Sequence, residues 1–336
     1  MEEIKNLNET IYNDLEEEEY FNETYDNDTS SNLTDMDTSN TYNITDTEFI
    51  LIAVYNFNTY ILYGLIAIGF LGNFSLLVAF CCHRNLRTGV NIYILNMAIS
   101  DMVFVICLTP ITVPEDNIKI QPRVFPENSF CNFVGNVAQA ASVYSVAALS
   151  VERFLSVRSC ARDTLVLPRE RRKWCAAVVA AIWVFVAAAK VLFLVFSGDG
   201  NLGLAYICIE FTLGYALPLF IIAFFCALTA RTLKHISVSV PGESRVKQLA
   251  QLRGAIRVVV MLVANYVLCF TLEYVLMLYF IFIDHINMDL LMYITVYSTS
   301  VCFRFLHSCI NPLVLYCTCS KWRVSINKCF IHKNNQ

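Results

Sequence analysis

The sequence predicts an all-α membrane protein, a bundle of seven transmembrane helices followed by a short amphipathic eighth. Three observations predict it. Seven apolar runs follow residue 50, short charged intervals separate them, and the charge is sorted between the two sides. The runs are Ala53–Cys82, Val90–Val113, Phe130–Val157, Trp174–Phe196, Ile209–Leu233, Ala255–Ile283 and Met288–Cys317. A helix needs about 20 mostly apolar residues to cross the hydrocarbon core, because lipid cannot satisfy its backbone polar groups. Residues 1–49 are expected to form an acidic tail, 50–318 the bundle, and 319–336 the amphipathic helix with a short cytoplasmic end.

Composition fits that class. Hydrophobic residues make up 57% of the chain and charged residues 15%, against about 25% charged in soluble domains. The runs leave no room for a soluble catalytic domain, so no enzymatic activity is expected, and nothing points to nucleic acid. The N-terminus is acidic and lacks an early apolar core, so the first span is expected to do its own targeting. Most of the 14 cysteines lie within the spans or on the basic side, where they read as small packing residues, not as a disulfide framework.

Charge orients the bundle. Residues 1–48 hold fifteen acids and one lysine. Eighteen Lys or Arg lie in the loops and terminal segment of one side, among them Arg158, Arg171, Lys247 and Arg323. The other side has three, Lys5, Lys119 and Arg123. The positive-inside rule places the N-terminus outside and the C-terminus in the cytoplasm. Five glycosylation sequons in the acidic tail, at Asn8, Asn22, Asn27, Asn32 and Asn43, agree, because they are usable only in the secretory lumen. Asn73 also begins a sequon, but inside the first span. Tyr20 and Tyr25 have the acidic flanks that suit sulfation. High charge and little apolar content predict a disordered tail. It reads either as a solvated, glycosylated spacer or as an electrostatic lure for a basic peptide.

The spans carry polar landmarks in order. The first has Gly72-Asn73 at its middle and the second has Asp101. The third ends on Glu152-Arg153-Phe154, the fourth contains Trp183, and the fifth contains Pro218. The sixth reads Tyr266-Val267-Leu268-Cys269-Phe270-Thr271-Leu272-Glu273, and the seventh holds Arg304 and ends Asn311-Pro312-Leu313-Val314-Leu315-Tyr316. Ionisable groups inside a membrane are costly and usually face a bundle interior or a water-filled cavity. Beyond Tyr316, Trp322, Ile326, Cys329 and Phe330 share one helical face beside Lys321, Arg323 and Lys328, the pattern of an interfacial helix lying on membrane lipid.

In their order and placement these landmarks resemble the rhodopsin-like G-protein-coupled receptors across residues 50–332. The Asn-Pro-x-x-Leu-Tyr ending, with Tyr316 four residues after Pro312, and Asn91-Ile92-Tyr93-Ile94 in the second span resemble the bombesin and endothelin receptor group. The resemblance implies a polar centre of Asn73, Asp101, Ser142 and Asn311, where Asp101 can hold an allosteric sodium ion. That polar centre also reads as a plain hydrogen-bond network. It implies a coupling surface of Glu152, Arg153 and Tyr316 for a heterotrimeric G protein, and a Cys131–Cys208 disulfide pinning the second outer loop. Cys329 is a palmitoylation candidate or an unmodified packing residue. The seventh span lacks the lysine that opsins need for retinal, and residues 130–151 lack the acid that monoamine receptors use.

A candidate pocket then comprises Gln139, Lys190, Glu210, Phe270, Glu273, Tyr274 and Arg304. Glu273 and Arg304 either pair with each other or await a charged ligand group. Lys190 either lines the pocket or snorkels to the headgroups. The chain also departs from the family. Phe270 stands where Trp is usual, Leu272 where a kinking Pro is usual, and Cys226 where many members have Tyr. Cys131 to Arg153 spans 22 positions, which puts Cys131 nearly a turn deep. The sixth helix is therefore expected to be straighter than the family's.

The resemblance implies a plasma-membrane receptor for an extracellular neuropeptide or peptide hormone, coupled to a heterotrimeric G protein. An atypical or decoy receptor that binds ligand and couples weakly is the alternative. Internal repeats and interrupted helices, common in transporters, are not seen.

Overall fold

The computed structural model describes residues 46–112, 130–161, 168–196, 208–239, 243–282 and 290–330. The five tail sequons, the acidic tail and the outer loop at 197–207 lie outside them. Seven of the described helices are long and apolar enough to cross a membrane. They are α1 (Asp46–Cys82), α2 (Gly89–Thr112), α3 (Phe130–Ala161), α4 (Pro168–Phe196), α5 (Leu217–Ser239), α6 (Glu243–Phe282) and α7 (Leu290–Thr318), with α8 (Ser320–Phe330) after them. A short 3-10 turn, Arg84–Leu86, joins α1 to α2, and a π-helical turn, Thr212–Ala216, enters α5. The expected seven-helix bundle with an eighth helix is present.

Burial separates central helices from peripheral ones. In α3, 72% of the apolar window is buried inside the protein, against 11% for the segment containing α5. Helix α3 packs on α2, α4, α5 and α6 and forms the axis of the bundle. The outer faces of α1, α4 and α5 expose Phe57, Val184 and Phe220. Lipid, as apolar as leucine, is their natural neighbour. Trp322 of α8 is buried against the core that joins the helices at the α8 end of the bundle, with Ile326 and Cys329 beside it. The other residue of the expected face, Phe330, is exposed.

Two prolines shape the bundle through the bonds they omit. Proline lacks the N–H that would bond the carbonyl four residues earlier, and in a membrane that carbonyl needs another donor. For Pro312 it is the Ser308 carbonyl, and Asn73 Nδ2 donates to it at 3.0 Å. For Pro218 it is the Gly214 carbonyl, which accepts from the Tyr266 hydroxyl at 2.9 Å. The π turn just before Pro218 frees the Leu213 carbonyl as well, and the Tyr144 hydroxyl takes it at 2.8 Å. Close approach also requires small residues. A Cβ on Gly72 would lie 2.7 Å from Pro312 Cγ. By contrast α6 contains no proline and runs unbroken for 40 residues, as expected from Leu272.

Candidate functional site

The half of the bundle away from α8 gathers charge around Arg304 of α7. Its Nε donates to Gln139 Oε1 at 3.1 Å and its Nη2 to the same oxygen at 2.5 Å. Nη2 also donates to Asn136 Oδ1 at 2.6 Å. Glu273 Oε1 of α6 lies 3.7 Å from Nη1, and the guanidinium carbon stands 5.8 Å from the Phe104 ring centre. Two polar atoms in this cluster, Gln139 Nε2 and Glu273 Oε2, are buried with no hydrogen-bond partner. Buried groups of that kind are rare and leave hydrogen-bonding capacity unused.

The other expected pocket residues divide into two groups. Tyr274 and Phe270 form an aromatic wall with Tyr215 and Tyr266. Tyr274 lies 4.9 Å from Tyr215, and Phe270 5.1 Å from Tyr266, centre to centre. Lys190 and Glu210 form a half-buried ion pair at 2.5 Å, between α4 and the helical turn before α5. Lys190 therefore turns to a carboxylate, not out to the headgroups. The pair joins the wall at Gly214, where an added Cβ would meet both Glu210 Oε1 and the Tyr274 hydroxyl.

A continuous polar chain runs below this pocket. Asn311 Nδ2 donates to Asp101 Oδ2 at 2.8 Å. Asn265 of α6 donates to Asn311 Oδ1 at 2.9 Å and to the His307 carbonyl at 3.0 Å. Phe270 rests on the His307 ring, 5.0 Å between centres. Ser142 is close to the Asp101 carboxylate but outside hydrogen-bond geometry, so its hydroxyl is left unpartnered together with Asn73 Oδ1. Trp183 ties α4 to α2, donating to Asn96 Oδ1 at 2.8 Å.

At the end of the bundle that carries α8, Glu152 does not pair with its neighbour Arg153. Arg171 of α4 claims the carboxylate at 2.5 Å and also bonds the Ser156 hydroxyl. Arg153 Nε is buried without a partner, and its side chain lines a small open cavity with Ser150, Cys226, Thr229, Ile256 and Val259. The Tyr316 hydroxyl donates to Asn327 of α8 at 3.0 Å. The Cys329 thiol lies beside Cys82, 3.3 Å from His83 Nε2. Partial burial and Cys82 push its pKa above the ordinary cysteine value.

One implied pairing is absent. Cys131 and Cys208 are free and exposed, and no bridge joins them. Cys131 lies at the start of α3 within electrostatic reach of Cys107 on α2, whereas Cys208 begins the turn leading into α5.

Sequence reasoning missed Asn136, Tyr144, Asn265, Tyr266 and His307 as polar partners, and Arg171 as the partner of Glu152. The first five are polar groups inside apolar runs, a signal in itself. Arg171 sits among loop cations and carried no such signal.

Comparison with known proteins agrees with this geometry. Residues 72–316 match the family described as 7 transmembrane receptor (rhodopsin family). The chain is 28% identical over 295 residues to the neuropeptide CCHamide-1 receptor of Drosophila melanogaster, a match covering 80% of this chain and 59% of that receptor. It is 26% identical to the sheep (Ovis aries) bombesin receptor subtype-3 (76% of this chain, 70% of that one). It is also 24% identical to the allatostatin-A receptor of Bombyx mori, with 80% and 78% covered. The bombesin-type resemblance seen at the end of the seventh span is thus matched by relatives along the bundle.

Proposed function

Because the chain belongs to the rhodopsin family of seven-transmembrane receptors, we propose that it is a cell-surface receptor for a neuropeptide or peptide hormone, acting on a heterotrimeric G protein. The observation that carries this reading is the match to peptide receptors over 76–80% of the chain. The geometry adds a charged, unsaturated cluster where an outside ligand would arrive.

A peptide entering from outside would meet Arg304, Gln139 and Glu273, with Phe270 and Tyr274 as apolar wall and Lys190–Glu210 at the flank. The two unpartnered atoms, Gln139 Nε2 and Glu273 Oε2, offer a donor and an acceptor that only a ligand would fill. Filling them favours one arrangement of α6 and α7 over another, and a ligand shifts a conformational equilibrium only by such a difference in affinity. The acidic tail would raise the local concentration of a basic peptide. On the cytoplasmic side, Glu152, Arg153 and Tyr316 would meet the G protein once α6 moves away from α3. The N-terminus would lie outside the plasma membrane, with α8 lying on the inner lipid surface.

The residues around Asp101 fit a sodium ion. A hard monovalent cation takes oxygen ligands, and the Asp101 carboxylate has the unpartnered Ser142 Oγ close to it, with the Asn73 side chain bonded to Ser308 of α7. Bound there, the ion would supply positive charge to a carboxylate otherwise buried among neutral groups.

The test is nucleotide exchange on G proteins in cells expressing the chain at matched surface levels, with and without a panel of peptides. Exchange above background that Arg153→Ala abolishes supports the reading. Specific peptide uptake with no exchange would instead favour a decoy receptor.

A further inference from the structure

We propose that the resting conformation of this receptor is held by a polar latch in the middle of α6, formed by Asn265 and Tyr266, and not by an ion pair at Arg153. The proposal rests on the receptor reading above. Two groups of observations carry it.

The first is that, among the described residues, Arg153 has no ion-pair partner. Its neighbour Glu152 is occupied by Arg171. The face of α6 opposite is apolar: Ile256 and Val259 line the Arg153 cavity, and Leu252 and Ile256 pack on Val157 of α3. Among the described residues no ion pair reaches Arg153, and its Nε is buried without a partner.

The second is that two consecutive residues of α6 bond its two neighbours. Successive residues on a helix point about 100° apart, which lets Asn265 face α7 and Tyr266 face α5. Asn265 donates to Asn311 Oδ1 and to the His307 carbonyl. The Tyr266 hydroxyl donates to the Gly214 carbonyl that Pro218 leaves free. Asn265 and Tyr266 are both buried, where a broken hydrogen bond is costly. Asn311 is bonded in turn to Asp101, so the latch connects to the polar centre of α2. Helix α6 has no proline kink to swing about. Its cytoplasmic half can leave α3 only if Asn265 and Tyr266 release α7 and α5.

The reporter is Cys226, which lines the Arg153 cavity between α5 and α6 and becomes reachable when α6 moves out. Full-length receptor in permeabilised membranes is treated with a water-soluble maleimide, and alkylation at Cys226 is followed by mass spectrometry. Basal nucleotide exchange is measured alongside. Asn265→Leu and Tyr266→Phe are each expected to raise Cys226 alkylation about fivefold, the factor carried by one buried hydrogen bond, and Glu152→Gln less than either. Tyr266→Phe removes a single oxygen, so it keeps the proposal testable if Asn265→Leu fails to reach the surface. Unchanged alkylation in the latch variants overturns the proposal, as does a rise in Glu152→Gln equal to or above that of Tyr266→Phe. If no form of the receptor promotes exchange while the latch variants still open at Cys226, the signalling reading fails and the latch stands.

Discussion

Single atoms decide several contacts in this bundle. Gly214 is hydrogen-sized because the Tyr274 hydroxyl and Glu210 occupy the space where a Cβ would project, whereas an added Cβ at Gly64 meets nothing within 4 Å. Overpacking a fitted interior typically costs about 1–3 kcal/mol. Gly214→Ala is therefore expected to lower the melting temperature of the solubilised receptor by several degrees, and Gly64→Ala to leave it unchanged, in a thermal-shift assay. Arg304 makes a different kind of demand. Its planar fork reaches Gln139 and Asn136 together, a geometry that a lysine ammonium does not reproduce. If this cluster receives the ligand, Arg304→Lys and Arg304→Ala should both weaken peptide potency. Loss of charged hydrogen bonds worth about 1.5–3 kcal/mol corresponds to a shift on the order of ten- to a hundredfold, read from the dose–response midpoint.

At the scale of elements, the helices differ in how they handle a missing backbone bond. In α7 and α5 the carbonyls that Pro312 and Pro218 leave free are met by Asn73 and Tyr266. In α6 a proline at position 272 would free the Leu268 carbonyl, and Leu268 is 61% exposed, on the lipid-facing side. Leu272→Pro should therefore bend α6 at a cost of about 3 kcal/mol or more. The expected readout is reduced surface expression and a lower melting temperature, partly recovered at reduced growth temperature. Equal stability of the variant and the parent would mean that a neighbouring donor captures that carbonyl. The C-terminal end of α1 is secured differently. Arg87 Nη2 donates to the Cys81 carbonyl at 2.5 Å, and His83 reaches the Ser325 carbonyl of α8 at 3.0 Å, so α8 is tied to the first helix as well as to the seventh.

At the scale of the whole molecule, charge and lipid set the arrangement. Arg and Lys crowd one side and acids the other, and the side carrying the basic loops should remain in the cytoplasm. An epitope placed at the N-terminus is expected to be stained on intact cells, and one at the C-terminus only after permeabilisation. Glycosidase treatment should increase the gel mobility of the receptor, and replacing Asn8, Asn22, Asn27, Asn32 and Asn43 by Gln should remove that shift. Staining of the C-terminal epitope on intact cells would reverse the orientation and place the Arg304 cluster on the cytoplasmic side.

The sequence by itself determined the number of helices, their class and the unbroken run of α6, because these follow from local quantities. Hydrophobicity summed over a span and the presence or absence of proline need no knowledge of neighbours. It also marked Asp101, Asn311, Glu273 and Arg304 as groups needing partners, since a polar or charged side chain in lipid is costly wherever the helix points. Only the tertiary structure decided which groups meet. Arg171 takes Glu152 from 19 positions away, Asn73 bonds Ser308 from 235 away, and Asn265 bonds Asn311 from 46 away. Cys131 and Cys208, paired by the family resemblance, are free thiols in the structure. These outcomes depend on the rotation and depth of each helix against its neighbours, which packing sets and hydrophobicity along the chain does not encode.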